Sequence, residues 1–170
     1  MIYEPAEDSF LLTKYVKQYA RGKVLDMGCG SCIQAEAAAK KTKNITAVDI
    51  NPEAVKLAEK KVLKAIRSDL FEKVKGKFNL IIFNPPYLPE EKGEDAESQL
   101  ATTGGKKGNE VLKRFLEQAK RHLALEGHIL IVVSSLTPQV EELFKKNGFE
   151  FRLLETKNLF FEKLMVYLLD

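Results

Sequence analysis

Asp26, Gly28 and Gly30 stand together in the string Asp26-Met-Gly28-Cys-Gly30, and the sequence Asn84-Pro85-Pro86-Tyr87 closes an apolar run further along the chain. Both strings hold residue types with chemical use. Glycines let a backbone come close to a ligand, and a helix starting just beyond them would offer N–H donors. Asp49 lies 19 residues after Gly30, where a carboxylate can accept from both hydroxyls of a ribose. A dinucleotide fingerprint is excluded: Ile33 occupies the place of its third glycine, and Asp26 would repel a pyrophosphate while attracting an ammonium group. A cofactor with a positive amino-acid end and an adenosine end satisfies both observations, and S-adenosylmethionine is such a molecule. Asp69, after a weaker strand signal, could accept from the adenine amino group; a solvated turn or cap carboxylate is an equal reading of it.

The Asn84-Pro85-Pro86-Tyr87 corner suits a particular acceptor. Two prolines fix the backbone and remove two N–H donors. The Asn84 side-chain oxygen and the Pro85 carbonyl then form a rigid pair of acceptors for a substrate –NH2, and Tyr87 gives a flat wall for a planar group. An amide nitrogen, or the exocyclic amine of a base, is a poor nucleophile because its lone pair is delocalised. Two fixed acceptors favour the more tetrahedral, more positive nitrogen of the transition state, and alignment with a sulfonium methyl supplies rate through positioning.

The elements that must carry these residues alternate along the chain. Strand signals fall at 23–27, 45–50, weakly at 65–67, then at 78–83, 128–135, 150–155 and 162–169, and helical spacing at 34–41, 52–63 and 109–125. Thr137, ahead of Pro138, is expected to cap a helix running to about residue 146. Residues 88–107 read as a long polar loop. This alternation predicts a mostly parallel α/β sheet with helices on both faces and one antiparallel strand among the last pair. One domain over residues 1–170 is expected, with residues 1–22 closing over the cofactor site.

Composition narrows the alternatives. The 170 residues are 45% hydrophobic and 30% charged, which excludes a disordered chain. A net charge of +3 neither demands nor forbids a nucleic-acid partner. The apolar runs are too short to span a bilayer, the first residues lack a basic signal-peptide region, and a cytoplasmic location is the default. Cys29 and Cys32 could form a dithiol at a helix N-terminus, but Asp26 opposes a thiolate there; small space-filling cysteines fit better. With only His122 and His128 besides, no metal site is expected.

Together, Asp26-x-Gly28-x-Gly30, Asp49, Asp69-Leu70 and Asn84-Pro85-Pro86-Tyr87 resemble the HemK-type S-adenosylmethionine-dependent amino-methyltransferases. Tyr3-Glu4-Pro5-Ala6-Glu7-Asp8-Ser9 and Gly104-Gly105-x-x-Gly108 resemble the eukaryotic and archaeal branch, although Cys32 stands where a glycine is common. The resemblance implies a seven-stranded Rossmann-like methyltransferase fold. It implies that Ser9, Asp26, Gly28, Gly30, Asp49, Asp69, Leu70 and Asn84 line the cofactor site, and that Asn84, Pro85, Pro86 and Tyr87 hold the acceptor. It further implies methylation of the glutamine amide in the Gly-Gly-Gln loop of a peptide chain release factor, and a small zinc-binding activator protein as partner, for which residues 65–67 could be a docking edge. A nucleic-acid amino-methyltransferase is the runner-up; the acids Glu90, Glu91, Glu94, Asp95 and Glu97, offset by Lys92 alone, count against it. A lysine methyltransferase and a dithiol or scaffold protein stand further back.

Overall fold

The computed structural model describes residues 2–61, 64–88 and 102–170. Its elements in chain order are α1 (Glu7–Tyr19), β1 (Val24–Met27), α2 (Ile33–Ala39), β2 (Ile45–Asp49), α3 (Pro52–Lys61), β3 (Lys64–Arg67), β4 (Phe78–Phe83), α4 (Glu110–Ala119), β5 (Leu123–Ser134), α5 (Val140–Lys146), β6 (Phe151–Asn158) and β7 (Lys163–Leu169). The seven strands form one sheet in the order β3-β2-β1-β4-β5-β7-β6. β1 through β5 run parallel to one another, and β7 runs antiparallel to both β5 and β6. The expected seven-stranded, mostly parallel sheet is what forms.

Strand alternation divides the core into two layers. Leu25, Ile81, Phe83, Ile129 and Ile131 face α4 and α5. Val24, Ala47, Leu80, Ile82, Leu130 and Val132 face α1, α2 and α3. By the same period of two, Asp26 and the position after Phe83 lie on the α1–α2 side. The order of strands reverses between β1 and β4, which opens a crevice at their carboxyl ends. The glycine turn and the proline corner meet there.

Three stretches differ from the expectation. Residues 7–19, assigned no element from the sequence, form α1. Leu11, Leu12, Tyr15 and Val16 make its buried stripe, with Glu7 and Asp8 in the first turn and Lys17 in the last, as the helix dipole favours. The helix expected over 109–125 stops at Ala119. A tight turn over Lys120–His122 follows, and Leu123 then pairs with Phe78, so β5 starts well before residue 128. Leu123 continues the helical spacing of Leu112, Phe115, Leu116 and Ala119, and sheet pairing overrides it. Thr137 does not cap α5, which starts at Val140 after Gln139 in a left-handed conformation. Its hydroxyl instead donates to the Tyr87 carbonyl at 3.4 Å, bracing the proline corner. The acids of the 88–107 loop counted against nucleic acid lie outside the described residues.

Candidate active site

A cavity of about 160 Å³ lies over the carboxyl ends of β1, β2 and β4. Ser9, Asp26, Gly28, Gly30, Asp49, Asn84, Pro85, Pro86 and Tyr87 all line it, although they come from separate stretches of chain. Asp69 and Leu70 do not. The Asp69 carboxylate is engaged by the Arg114 guanidinium at 2.7 Å. Leu70 is buried in the α4–α5 layer, with a positive φ of 47°.

The glycine turn is built by backbone geometry. Gly28 and Gly30 have φ of 65° and 48°, conformations that side chains other than glycine resist. Cys32 also adopts φ 67°, so the left-handed turn is kept where a cysteine replaces the glycine. The Asp49 carboxylate accepts from Gly30 N–H at 2.9 Å and Asn51 N–H at 2.8 Å, tying the β2 tip to the turn. Each oxygen keeps lone-pair capacity for a ribose hydroxyl. Burial raises the Asp49 pKa while those N–H donors hold it down.

Asp26 is 2% exposed and accepts from the Ala35 N–H, an orphan donor of the first turn of α2, at 3.0 Å. Burial pushes its pKa up to about 7, and Asp49 adds to the rise. A buried carboxylate of this kind is stabilised by a cation brought beside it. Cys29 and Cys32 are both reduced and buried. A hydrogen bond between them, with burial and Asp26, raises the Cys29 pKa strongly, which is the reverse of what a reactive dithiol needs.

The corner at Asn84 is governed by a residue that the sequence analysis did not assign to the site. Asp8, in the first turn of α1, is 3% exposed. Its carboxylate accepts from Tyr3 Oη at 3.0 Å, Ser9 N–H at 2.5 Å, Ser9 Oγ at 3.2 Å, Asn84 Nδ2 at 3.1 Å and Tyr87 Oη at 2.9 Å. A carboxylate only accepts, so the Asn84 amide must turn its NH2 toward Asp8. Asn84 Oδ1 is thereby directed elsewhere. Among the described residues it is the buried side-chain polar atom with no hydrogen-bond partner. Burial and the Asp8 charge raise the pKa of both Tyr3 and Tyr87, keeping the phenols as donors.

The amino end of α1 is itself clamped. Ser9 carbonyl accepts from Thr13 Oγ1 of the same helix at 2.8 Å and from Gln34 Nε2 at 2.9 Å, the latter joining α1 to α2 beside the cavity. The first-turn acid preceding a helical apolar stripe was the available sequence signal for Asp8. Gly104 N–H donates to the Leu88 carbonyl at 2.9 Å, and a side chain at Gly104 would sit 2.7 Å from the Pro86 carbonyl. The second glycine string thus packs directly behind the proline corner. Among the described residues no three His, Cys, Asp or Glu side chains gather to hold a metal ion, and no helix is long and apolar enough to cross a membrane.

The methyltransferase small domain family matches residues 6–161, from the first turn of α1 to the tip of the last hairpin. The chain belongs to that family. It is a methyltransferase of the HemK type. A Methanocaldococcus jannaschii protein, provisionally named a protein N5-glutamine methyltransferase, is 43% identical over 97% of this chain and 89% of its own length. Mouse methyltransferase HEMK2 is 32% identical over 85% of this chain and 76% of its own length. Ribosomal RNA small subunit methyltransferase C of Haemophilus influenzae is 33% identical over 78% of this chain but only 38% of its own length. Among solved structures, the E. cuniculi Mtq2-Trm112 complex, responsible for methylation of the eRF1 termination factor, superimposes with a TM-score of 0.79. The match covers 99% of this chain and 98% of that one, at 21% identity. That likeness bears on the fold.

Proposed function

We propose that this methyltransferase transfers the methyl group of S-adenosylmethionine to the side-chain amide nitrogen of the glutamine in the Gly-Gly-Gln motif of a peptide chain release factor. The orphaned, buried Asn84 Oδ1 carries the reading. An acceptor fixed in place by Asp8 and lacking a donor suits a substrate N–H, and leaving it unpaired costs about 1–3 kcal/mol. Two similar proteins support the acceptor, one by its glutamine methyltransferase name and one, the Mtq2-Trm112 complex, by its role in eRF1 methylation.

The cavity lining suits the amino-acid and ribose portions of the cofactor. S-adenosylmethionine, when bound, supplies an electrophilic methyl on a positive sulfur. Asp26 would receive its ammonium group, Asp49 its ribose hydroxyls, and Gly28 and Gly30 would let the backbone approach, with Ser9 bordering the same space. Asn84 Oδ1 and the Pro85 carbonyl would orient the acceptor amide, with Pro86 and Tyr87 as its walls. No strong base is demanded, because the nitrogen becomes more acidic as it is alkylated.

A small zinc-binding partner subunit completes the reading. β3 pairs with β2 alone among the named strands and carries half-buried Ala65 and Ile66 beside exposed Lys64 and Arg67. Such an edge accepts an added strand. The runner-up, methylation of an RNA base, is favoured by the ribosomal RNA relative, which is matched over a smaller share of its length. Methyl transfer from labelled cofactor, with and without the partner subunit, separates the two. The release factor should be labelled, its Gln-substituted form should not, and RNA and DNA should stay unlabelled. Labelled RNA beside an unlabelled factor would overturn the reading.

A further inference from the structure

The hairpin between β6 and β7 is built against the usual chemistry of such turns. Its connecting residues are Leu159-Phe160-Phe161-Glu162, with none of the glycine, asparagine or aspartate that tight turns favour. Phe160 is 92% exposed and Phe161 86%. The two rings meet edge to face at 4.6 Å. Leaving a phenylalanine in water forgoes the gain of burying its ring, so two at one tip are a feature with a cost.

The tip is held rather than loose. Leu159 N–H donates to the Glu162 carbonyl at 2.8 Å, closing the turn. Ser135 N–H donates to the Lys163 carbonyl at 2.8 Å, and Lys163 N–H returns a bond to Ser135 Oγ at 2.9 Å. Ser134 Oγ donates to the Glu162 carboxylate. The rings are thus presented on a frame anchored to the carboxyl end of β5.

Its position matters. Phe83 is level with Ile131 of β5, and Ser134, three residues further, is level with Leu164 of β7. The tip therefore rises at the height of Pro86 and Tyr87, two strand spacings or roughly 10 Å along the sheet. The Glu162 charge contributes to the raised pKa of both Tyr3 and Tyr87, so this tip lies electrostatically within reach of the cavity wall.

We propose that the Phe160–Phe161 tip is the wedge by which the methyl-acceptor protein docks, seating the two rings in an apolar recess of that protein while its acceptor side chain enters the cavity. This inference rests on the protein-acceptor reading above. A nucleic acid fits less well: nearby Lys157 and Lys14 are spent on Glu7 and Glu155, and at the foot of the tip Glu162 offsets the exposed Lys163. A partner subunit on β3 would occupy the other edge of the sheet, with the cavity between. That geometry leaves the β6–β7 side to the acceptor.

The test is Phe160→Ser with Phe161→Ser, in the full chain assembled with its partner subunit. Both positions are exposed, so the fold should persist. Two substrates are compared: the intact release factor, and a short Gly-Gly-Gln peptide too small to reach the tip. The expected result is a KM for the intact factor raised at least tenfold, with kcat, peptide methylation and cofactor affinity unchanged. Phe160→Leu with Phe161→Leu should recover most of the loss. An unchanged KM for the factor overturns the proposal. So does an equal loss on factor and peptide, or loss of the partner subunit from the purified complex. If the wild-type complex labels RNA and no release factor, the protein-acceptor reading itself falls, and the docking inference with it.

Discussion

Two buried aspartates line the cavity, and their surroundings are unlike. Asp8 collects donors from Tyr3, Ser9, Asn84 and Tyr87. Asp26, buried as deeply, has among the described residues the single Ala35 N–H, and a pKa pushed up to about 7. One carboxylate is completed by its own chain, and the other is left short of positive charge. Completed groups hold neighbours in place, whereas incomplete ones await a ligand. Asp8 thus fixes the corner at Asn84, and on the proposed reading Asp26 is the group left for the cofactor's ammonium.

Substitutions should separate the two roles, and the largest effect belongs to the atom that Asp8 aims. Asn84→Ala should lower methyl transfer by about 100- to 1,000-fold, the scale of losing one preorganised transition-state contact. Cofactor affinity by calorimetry should move no more than about threefold. Asp8→Asn comes next. It puts an amide where five donors from four residues converge, frees the Asn84 amide to turn over, and should cut kcat about tenfold or more. Cofactor affinity should again stay within threefold, and Tm should fall. If Asp8→Asn weakened cofactor binding and spared kcat, the contrast between the two aspartates would be lost.

Asp26→Asn should show the opposite signature. The Asp26 pKa of about 7 in the free fold exceeds the ordinary carboxylate value near 4, so the native state holds a proton that the unfolded chain has released. Stability from this group is therefore present at low pH and lost as pH rises through 7. Above pH 7 the buried charge costs on the order of 4 kcal/mol. The substituted amide carries no such charge, so Asp26→Asn should raise Tm at pH 8 while weakening cofactor affinity about tenfold or more. In the wild type, binding an ammonium group expels the Asp26 proton. Cofactor affinity should then fall by up to tenfold per unit as pH drops below 7, and this slope should flatten in Asp26→Asn. Titration calorimetry across pH 5–7 measures both.

The same contrast explains what the sequence made legible. Asp26, Gly28, Gly30 and Asp49 are read from spacing, because each acts from a strand tip or turn whose place is set by local pattern. The Asn84 corner is read the same way. Asp8 is not, since its role depends on α1 folding back over β1 and β4, with 76 residues separating it from Asn84. Residues 1–22 are expected to close over the site, but spacing does not say which of their side chains meets Asn84. The early end of α4 was hidden for a related reason: Leu123 keeps a helical period, and the pairing that captures it, with Phe78, is nonlocal.

Asp69 marks where local pattern and packing part company, and it should give the smallest effect. Its place after β3 suits an adenine amino group, yet its carboxylate is a third exposed and paired with Arg114. An exposed pair of this kind contributes about 0–1 kcal/mol to stability, so Arg114→Ala should leave Tm nearly unchanged. A contact with adenine requires Asp69 to release Arg114, and the exchange returns little. Asp69→Ala should therefore weaken cofactor binding only a few-fold, less than Asp26→Asn. Arg114→Ala, which frees the carboxylate beforehand, should leave affinity equal or slightly improved. A loss from Asp69→Ala as large as that from Asp26→Asn would mean that the adenosine end is anchored as firmly as the amino-acid end. The incomplete charge at Asp26 would then no longer be the main source of affinity.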